Sequence, residues 1–154
     1  MQSFLSFPDV VDERAARTVA TGVVAMTILA IVTRSPIVVA VLVLGFLARV
    51  LSGPRFSPLA LLATRVVVPR LRGRPRLVAG TPKRFAQGMG LAFTSVSLAL
   101  HVTGHPTAAI AVLALLLVAA GLEAGLGLCL GCKIFGLMAR AGLVNEADCE
   151  RCAD

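Results

Sequence analysis

Long apolar segments alternate with short polar ones along this chain. Two apolar runs of sixteen residues, Thr18–Thr33 and Pro36–Leu51, are separated by only two residues, and two longer runs, Phe85–Thr103 and Thr107–Leu128, by a short polar turn. At about 1.5 Å of rise per residue the longer runs match a hydrocarbon core of roughly 30 Å, and flanking arginines extend the reach of the shorter ones. The pattern predicts an all-α membrane protein with four transmembrane helices in two hairpins.

The segment between the two hairpins predicts a helix that lies in the membrane interface. Ser57-Pro58 joins a capping hydroxyl to a proline suited to the first helical position. Over Pro58–Val68 the apolar residues recur at helical spacing while Arg65 lies off their face, which is typical of an interfacial helix. Alternating arginines then predict an extended, basic connector: Arg70, Arg72, Arg74 and Arg76.

Glycines in the third and fourth apolar runs predict that these two spans pack closely, small residue against small residue. They are Gly88, Gly90, Gly121, Gly125 and Gly127. The alternative is that glycine is simply frequent in membrane helices.

Composition supports lipid as the main solvent of the chain. Its 154 residues are 57% hydrophobic and 15% charged, with a mean hydropathy of +0.89, whereas soluble domains carry about 25% charged residues. A soluble domain of this size has too much surface to bury so much apolar material. The first residues are acidic and lack the basic-then-apolar order of a signal peptide, so we expect no cleavage.

The net charge of +7 is distributed as in membrane proteins. Nine of the fifteen basic residues lie between Arg49 and Arg84, and no acidic residue occurs from Arg14 to Leu122. Positive charge concentrates on the cytoplasmic side, and only Arg34 is predicted on the other side. We therefore expect a multi-pass protein of the inner (plasma) membrane with both termini cytoplasmic. Nucleic-acid binding is not expected, since the chain has no Tyr or Trp for base stacking.

All four cysteines lie near the C-terminus in two C-x-x-C pairs, Cys129 with Cys132 and Cys149 with Cys152. Since the cytoplasm is reducing, structural disulfides are not expected there. In one interpretation the four thiolates hold a structural zinc ion, because their spacing matches a zinc pattern. In a second, Cys129 and Cys132 are the catalytic pair of a disulfide or persulfide reaction, and Cys149 and Cys152 are a resolving or shuttle pair. In a third, the cysteines are ordinary small apolar residues.

Charged neighbours favour the first pair as the reactive one. Lys133 is expected to stabilise a thiolate at Cys132, whereas acidic residues flank Cys149 and Cys152 and oppose ionisation there.

A local break is predicted at Gly131 and Lys133, between the fourth span and a second amphipathic helix over Ile134–Val144. The predicted apolar stripe of this helix comprises Ile134, Leu137, Met138 and Ala141. We expect the helix to lie along the membrane with this stripe facing lipid.

Glu123 is the one acidic residue within the four apolar runs. An intramembrane carboxylate is a candidate functional residue, and here it would exchange protons with the thiols or hold a ligand. We expect it to be protonated, because desolvation disfavours the charged form. The alternative is a structural role, either in an ion pair with Arg49 or Arg84 or in a hydrogen bond to a hydroxyl of the third run. Those hydroxyl residues are Thr94, Ser95 and Ser97.

Three internal segments and the last cysteine pair carry a resemblance to known proteins. They are Gly53-Pro54-Arg55-Phe56-Ser57-Pro58, Pro82-Lys83-Arg84-Phe85-Ala86-Gln87, Cys129-Leu130-Gly131-Cys132-Lys133 and Cys149-Glu150-Arg151-Cys152. With these motifs the chain resembles a bacterial membrane family catalogued as domain of unknown function 4395, which commonly has Asn at the position of Glu123. The resemblance implies a small integral membrane protein encoded beside thioredoxin-like and sulfurtransferase proteins, which favours thiol or sulfur handling.

The sequence thus predicts a membrane domain over residues 1–128 and a cytoplasmic cysteine-rich tail over 129–154. The favoured function is a membrane thiol-redox or sulfur-relay component whose Cys129/Cys132 pair exchanges with a thioredoxin-like or sulfurtransferase protein. The alternative is a non-enzymatic membrane scaffold or complex subunit whose tail is folded by zinc on all four cysteines. The two hypotheses differ in whether the protein is an enzyme.

Overall fold

The computed structural model describes residues 9–144, which form six α-helices and two short strands. The helices are α1 (Glu13–Thr33), α2 (Pro36–Ser52), α3 (Pro58–Leu62), α4 (Gly80–Val102), α5 (Pro106–Leu126) and α6 (Leu130–Arg140). The strands are β1 (Val10–Asp12) and β2 (Leu77–Ala79). The predicted all-α architecture is therefore confirmed in its main features, with a small sheet added.

Three helices, α1, α4 and α5, are long and apolar enough to cross a membrane. Helix α2 is apolar but shorter, at 17 residues. Helices α1 and α4 begin earlier than the predicted spans because helix formation does not require apolar residues: α1 starts at Glu13, capped by the Asp12 carboxylate, and α4 starts at Gly80. These lengths support a membrane protein.

The bundle buries several hydroxyl side chains within an apolar core and also exposes many large apolar side chains. Helix α2 packs on α4, and α1 and α4 both pack on α5. Thr27, Thr94 and Ser97 are fully buried; the Ser97 hydroxyl donates to the Ala109 carbonyl (3.1 Å) and so joins α4 to α5. In contrast, the side chain of Val102 is 77% exposed. Exposed apolar side chains together with buried hydroxyl groups are expected where lipid surrounds the helices.

The predicted glycine contact between the third and fourth spans is wrong. A Cβ at Gly90 would overlap the ring of Phe46 in α2, and a Cβ at Gly88, Gly121 or Gly125 would meet nothing. Gly90 therefore allows α2 to pack closely on α4, because a side chain at this position would overlap the ring of Phe46.

The predicted interfacial helix is helical throughout, but its pitch changes. Helix α3 is followed by a π-helical turn, Ala63–Val67, and a 3₁₀ turn, Val68–Arg70. Ala60 and Ala63 are buried, whereas Leu62 of the predicted apolar stripe is 52% exposed. The segment thus packs on the bundle through its alanines.

The predicted basic connector begins in the 3₁₀ turn that contains Arg70, and it ends in an extended strand that pairs with the residues just before α1. Strands β1 and β2 are antiparallel, with Val11 opposite Val78. Beside them the Glu13 amide donates to the Arg76 carbonyl (2.8 Å), and the Arg76 guanidinium contacts the Glu13 carboxylate (3.1 Å). The sequence analysis missed this sheet, which fixes the connector to the first turn of α1.

The predicted break at Gly131 and Lys133 lies instead at the end of α5. Gly127 adopts a left-handed conformation (φ 69°) that ends α5, so both Gly131 and Lys133 fall in the first turn of α6. Helix α6 packs on α4 with Gly131, Phe135 and Ala139 buried, while Leu137 of the predicted stripe is 67% exposed. The division of the chain into a membrane domain and a tail at residue 129 stays a prediction, because the tail extends beyond the described residues.

Candidate functional site

The turn after α5 places Cys129 at the start of a helix. Cys129 is the N-cap residue of α6, and its Sγ accepts a hydrogen bond from the backbone N–H of Cys132 (3.3 Å). The first amides of a helix lack intrahelical partners and lie at the positive end of its dipole. A sulfur at this position is therefore favoured as a thiolate.

Cys129 and Cys132 form a close pair of free thiols. Their Sγ atoms are 2.7 Å apart, and the Cys132 thiol donates to the Cys129 sulfur. This hydrogen bond lowers the pKa of Cys129, against the opposing effects of burial and of the Glu123 carboxylate. The same hydrogen bond, together with burial, raises the pKa of Cys132. The geometry thus makes Cys129 the more acidic thiol of the pair.

The lysine that acts on this pair is Lys83, not Lys133 as predicted. Lys133 is exposed on α6. Lys83 lies in the first turn of α4 with only 6% of its surface exposed, and its positive charge helps to lower the pKa of Cys129. The expected thiolate at Cys132 is also wrong, because Cys132 is the donor of the thiol–thiol hydrogen bond.

Glu123 forms an ion pair with Lys83 inside the bundle. The predicted ion-pair partners are wrong: Arg84 donates to the Val50 carbonyl (3.0 Å), and Arg49 donates to another side chain. The predicted hydroxyl partners are not used either, since Thr94 and Ser97 donate to backbone carbonyls. Thus the one intramembrane carboxylate has a buried cation beside it, next to the thiols.

Arg49 adds a second buried cation at this end of the bundle, with 4% of its surface exposed. Its Nε donates to Oε1 of Gln87 (2.9 Å), and its guanidinium lies 4.4 Å from the centre of the Phe46 ring. Two buried cations thus accompany one carboxylate.

An apolar cavity of about 340 Å³ reaches this charged cluster from between α1, α4, α5 and α6. Its lining is apolar except for Gln87, Glu123 and Cys129. The more acidic thiol therefore faces both the charged residues and an apolar space.

The second cysteine pair, Cys149 and Cys152, lies outside the described residues, so its predicted approach to Cys129 and Cys132 stays a prediction. Among residues 9–144 there is no group of three or more His, Cys, Asp or Glu side chains able to hold a metal. The thiols that the structure brings together are Cys129 and Cys132.

The sequence analysis missed Lys83 and Gln87 as site residues, although a signal was present. In α4 the polar and small residues Lys83, Gln87, Gly90, Thr94 and Ser97 recur at spacings of three and four. In a membrane helix such a stripe marks the face that packs on other helices. Lys83 lies on this buried face and therefore needs a buried partner.

The comparisons with known proteins give one match. A family model described as Domain of unknown function (DUF4395) covers residues 11–140, which include all six helices and the first cysteine pair. No curated protein and no solved structure matches the chain.

Proposed function

Since the chain belongs to the family of domain of unknown function 4395, its activity has to be inferred from the site, and we propose that it is a membrane thiol-redox or sulfur-relay component. The observation that carries this proposal is the geometry at Cys129, whose sulfur accepts hydrogen bonds from both the amide and the thiol of Cys132. A low-pKa cysteine beside a resolving thiol is the arrangement that thiol–disulfide exchange requires.

In the proposed reaction the Cys129 thiolate attacks one sulfur of a disulfide in a thioredoxin-like partner. A mixed disulfide forms, and the other partner sulfur leaves as a thiolate and takes a proton. The Cys132 thiol then loses its proton and attacks the Cys129 sulfur. The partner leaves as a dithiol, and the Cys129–Cys132 pair is left as a disulfide.

The same pair supports sulfur relay with a sulfurtransferase partner. The Cys129 thiolate attacks the outer sulfur of the partner's persulfide, which leaves a thiolate on the partner and a persulfide on Cys129. Delivery to an acceptor thiolate reverses this step. No oxidant is consumed, because the outer sulfur moves from the partner's cysteine to Cys129 and no electrons are gained or lost overall.

We place the protein in the inner (plasma) membrane with four crossings in two hairpins and both termini in the cytoplasm. Helix α2 supplies the fourth crossing: its 17 residues span about 25 Å, and arginine can snorkel to the interface. The basic segment from Arg65 to Arg76 then lies on the same side as Cys129, in accord with the positive-inside rule. In this arrangement α3 lies in the interface.

The tail carries Cys149 and Cys152, which we assign as the shuttle or resolving pair. The alternative of a membrane scaffold with zinc on Cys129, Cys132, Cys149 and Cys152 stays a prediction, because it depends on residues outside the described part. The two proposals differ in a measurable way, since a tetrathiolate zinc site is closed and its thiols are not free to react.

The test is metal analysis of the detergent-purified protein together with thiol titration before and after reductant. For a redox pair we expect no bound zinc and a reversible change of two free thiols per catalytic pair. About one zinc per chain with unreactive thiols would overturn the proposal in favour of the scaffold. The double variant Cys149→Ser/Cys152→Ser should keep the reversible Cys129–Cys132 change, whereas a zinc site would be lost.

A further inference from the structure

The cavity that reaches Cys129 opens on the lipid-facing surface of the bundle. Its lining includes Leu115 and Val118 of α5, each 60% exposed, and Leu130 and Ile134 of α6, which are 37% and 40% exposed. Apolar side chains that are exposed on a membrane-spanning helix such as α5, or on a helix that lies along the membrane as expected for α6, face acyl chains. A molecule dissolved in the bilayer can therefore enter between α5 and α6 without crossing water.

Gln87, which lines the cavity, provides a hydrogen-bond donor for a small polar headgroup. Oε1 of Gln87 accepts from Arg49, which fixes the amide so that its nitrogen remains as a donor. Gln87 lines the cavity together with Cys129. The volume of about 340 Å³ lies within the range of small-molecule sites, which are mostly apolar with a few placed polar groups.

We propose that this cavity admits a lipid-soluble quinone, which oxidises the Cys129–Cys132 pair. The inference rests on the proposed thiol-redox function and supplies its membrane-side oxidant. The thiol–disulfide exchange described above then runs in reverse, and a dithiol of the thioredoxin-like partner reduces the Cys129–Cys132 disulfide while its own disulfide forms. A quinone combines the three properties that the cavity selects: an apolar body, carbonyl acceptors for the Gln87 amide, and an electrophilic ring for a thiolate. A lipid acyl chain shares only the first of these properties.

The reaction balances without a further reactant. The Cys129 thiolate adds to a ring carbon, a C–S bond forms, and the electron pair moves to a carbonyl oxygen, which takes a proton. The Cys132 thiol then loses its proton and attacks the Cys129 sulfur, so the C–S bond breaks and the S–S bond forms. The ring leaves as quinol, carrying two electrons and two protons. One proton comes from Cys132 and one replaces the proton that Cys129 released to water.

The experiment uses the full-length protein, reduced, freed of reductant, and kept anaerobic in lipid nanodiscs, with decylubiquinone as the quinone. We expect one quinol for every two thiols lost and a Cys129–Cys132 disulfide in peptide mass spectrometry. Val118→Trp narrows the opening of the cavity and should slow quinol formation several-fold. It should not slow oxidation of the same thiols by water-soluble diamide.

Val96→Trp is the matched control, because Val96 is 51% exposed on α4 and does not line this cavity; it should change neither rate. If diamide forms the disulfide but decylubiquinone does not, the quinone proposal fails and the thiol-redox function stands. If neither forms it, both fail. If Val118→Trp leaves quinol formation unchanged, or slows the diamide reaction as much, the cavity is not the route and the proposal is overturned.

Discussion

Cys129 owes its acidity to one neighbour more than to any other. The thiol of Cys132 donates to its sulfur, and this hydrogen bond is the largest influence lowering the pKa of Cys129. The amide of Cys132 and the charge of Lys83 add to it, while burial and Glu123 act against it. The reactivity of Cys129 therefore depends on a donor at position 132.

Cys132→Ala should raise the pKa of Cys129, whereas Cys132→Ser should not, since the serine hydroxyl keeps the donor. A thiol is reactive above its pKa, so the wild-type alkylation curve of Cys129 should extend to lower pH than that of Cys132→Ala. For each unit by which the pKa rises, the thiolate at neutral pH falls about tenfold. The measurement is the rate of iodoacetamide labelling of the Cys129 peptide against pH. Coincident curves for the wild type and Cys132→Ala would contradict this assignment.

Lys83 and Glu123 depend on each other because both are largely buried, with 8% and 14% of their side-chain surfaces exposed. Removing one partner leaves an unpaired charge, so Glu123→Leu should destabilise the protein by about 3–5 kcal/mol. The double variant Lys83→Met/Glu123→Leu should recover most of this loss, because no buried charge then remains unpaired. Thermal unfolding in detergent measures both effects, with exposed Lys133→Met as a control of small effect. A double variant no more stable than Glu123→Leu would count against the pair.

At the scale of elements, α4 shows which structural features can be predicted from the sequence of a membrane helix. The apolar length of α4 predicts a span. Its polar stripe, which includes Lys83 and Gln87, is not predicted as a buried face, because Lys83 counts there only as part of the basic charge between the hairpins. In water a polar face is the exposed one; in lipid it turns inward, so the same periodicity has the opposite meaning. In α6, Leu137 of the stripe expected to face lipid is exposed, and Gly131 and Phe135, which lie outside that stripe, pack on α4.

Gly131 sets the distance between α6 and α4, and thereby the position of the cysteine pair. A Cβ at this residue would lie 2.6 Å from the Cα atom of Ala86, which is backbone and cannot rotate away. Gly131→Ala should therefore destabilise the protein by about 1–3 kcal/mol, the usual cost of overpacking. Gly88→Ala in α4 is the control, since its Cβ meets nothing and alanine favours helices. Equal melting temperatures for the two variants would show that α6 does not approach α4 this closely.

At the scale of the whole molecule, α1, α2, α4 and α5 each have one end at the same end of the bundle. The start of α1 reaches the end of α5, where the Arg17 guanidinium donates to the carbonyls of Ala124 (3.2 Å) and Gly125 (2.9 Å). The start of α1 also holds the basic connector through β1 and β2. The cysteine pair is thus fixed by contacts between segments more than one hundred residues apart.

The number of crossings has a direct topological consequence. With α2 as a fourth span both termini lie on one side, whereas three spans would place them on opposite sides. We expect green fluorescent protein fused to either terminus to fluoresce, and alkaline phosphatase fused to either to be inactive, because both termini are cytoplasmic. Opposite results for the two termini would show that α2 does not cross. A phosphatase fusion at Ser35 should be active and serves as the control.

Composition and apolar run length were sufficient to predict a helical membrane protein and to locate its helices, because the hydrophobic effect acts on each segment separately. The C-x-x-C spacing likewise identified Cys129 and Cys132 as a candidate pair, since local geometry alone brings them together. The packing of α4 against α5 and α6 decided which of the two cysteines is the more acidic thiol. The same packing decided that Lys83, rather than Arg49 or Arg84, pairs with Glu123. Such partners are distant in the chain, and only the folded bundle fixes the distances on which electrostatic interactions depend.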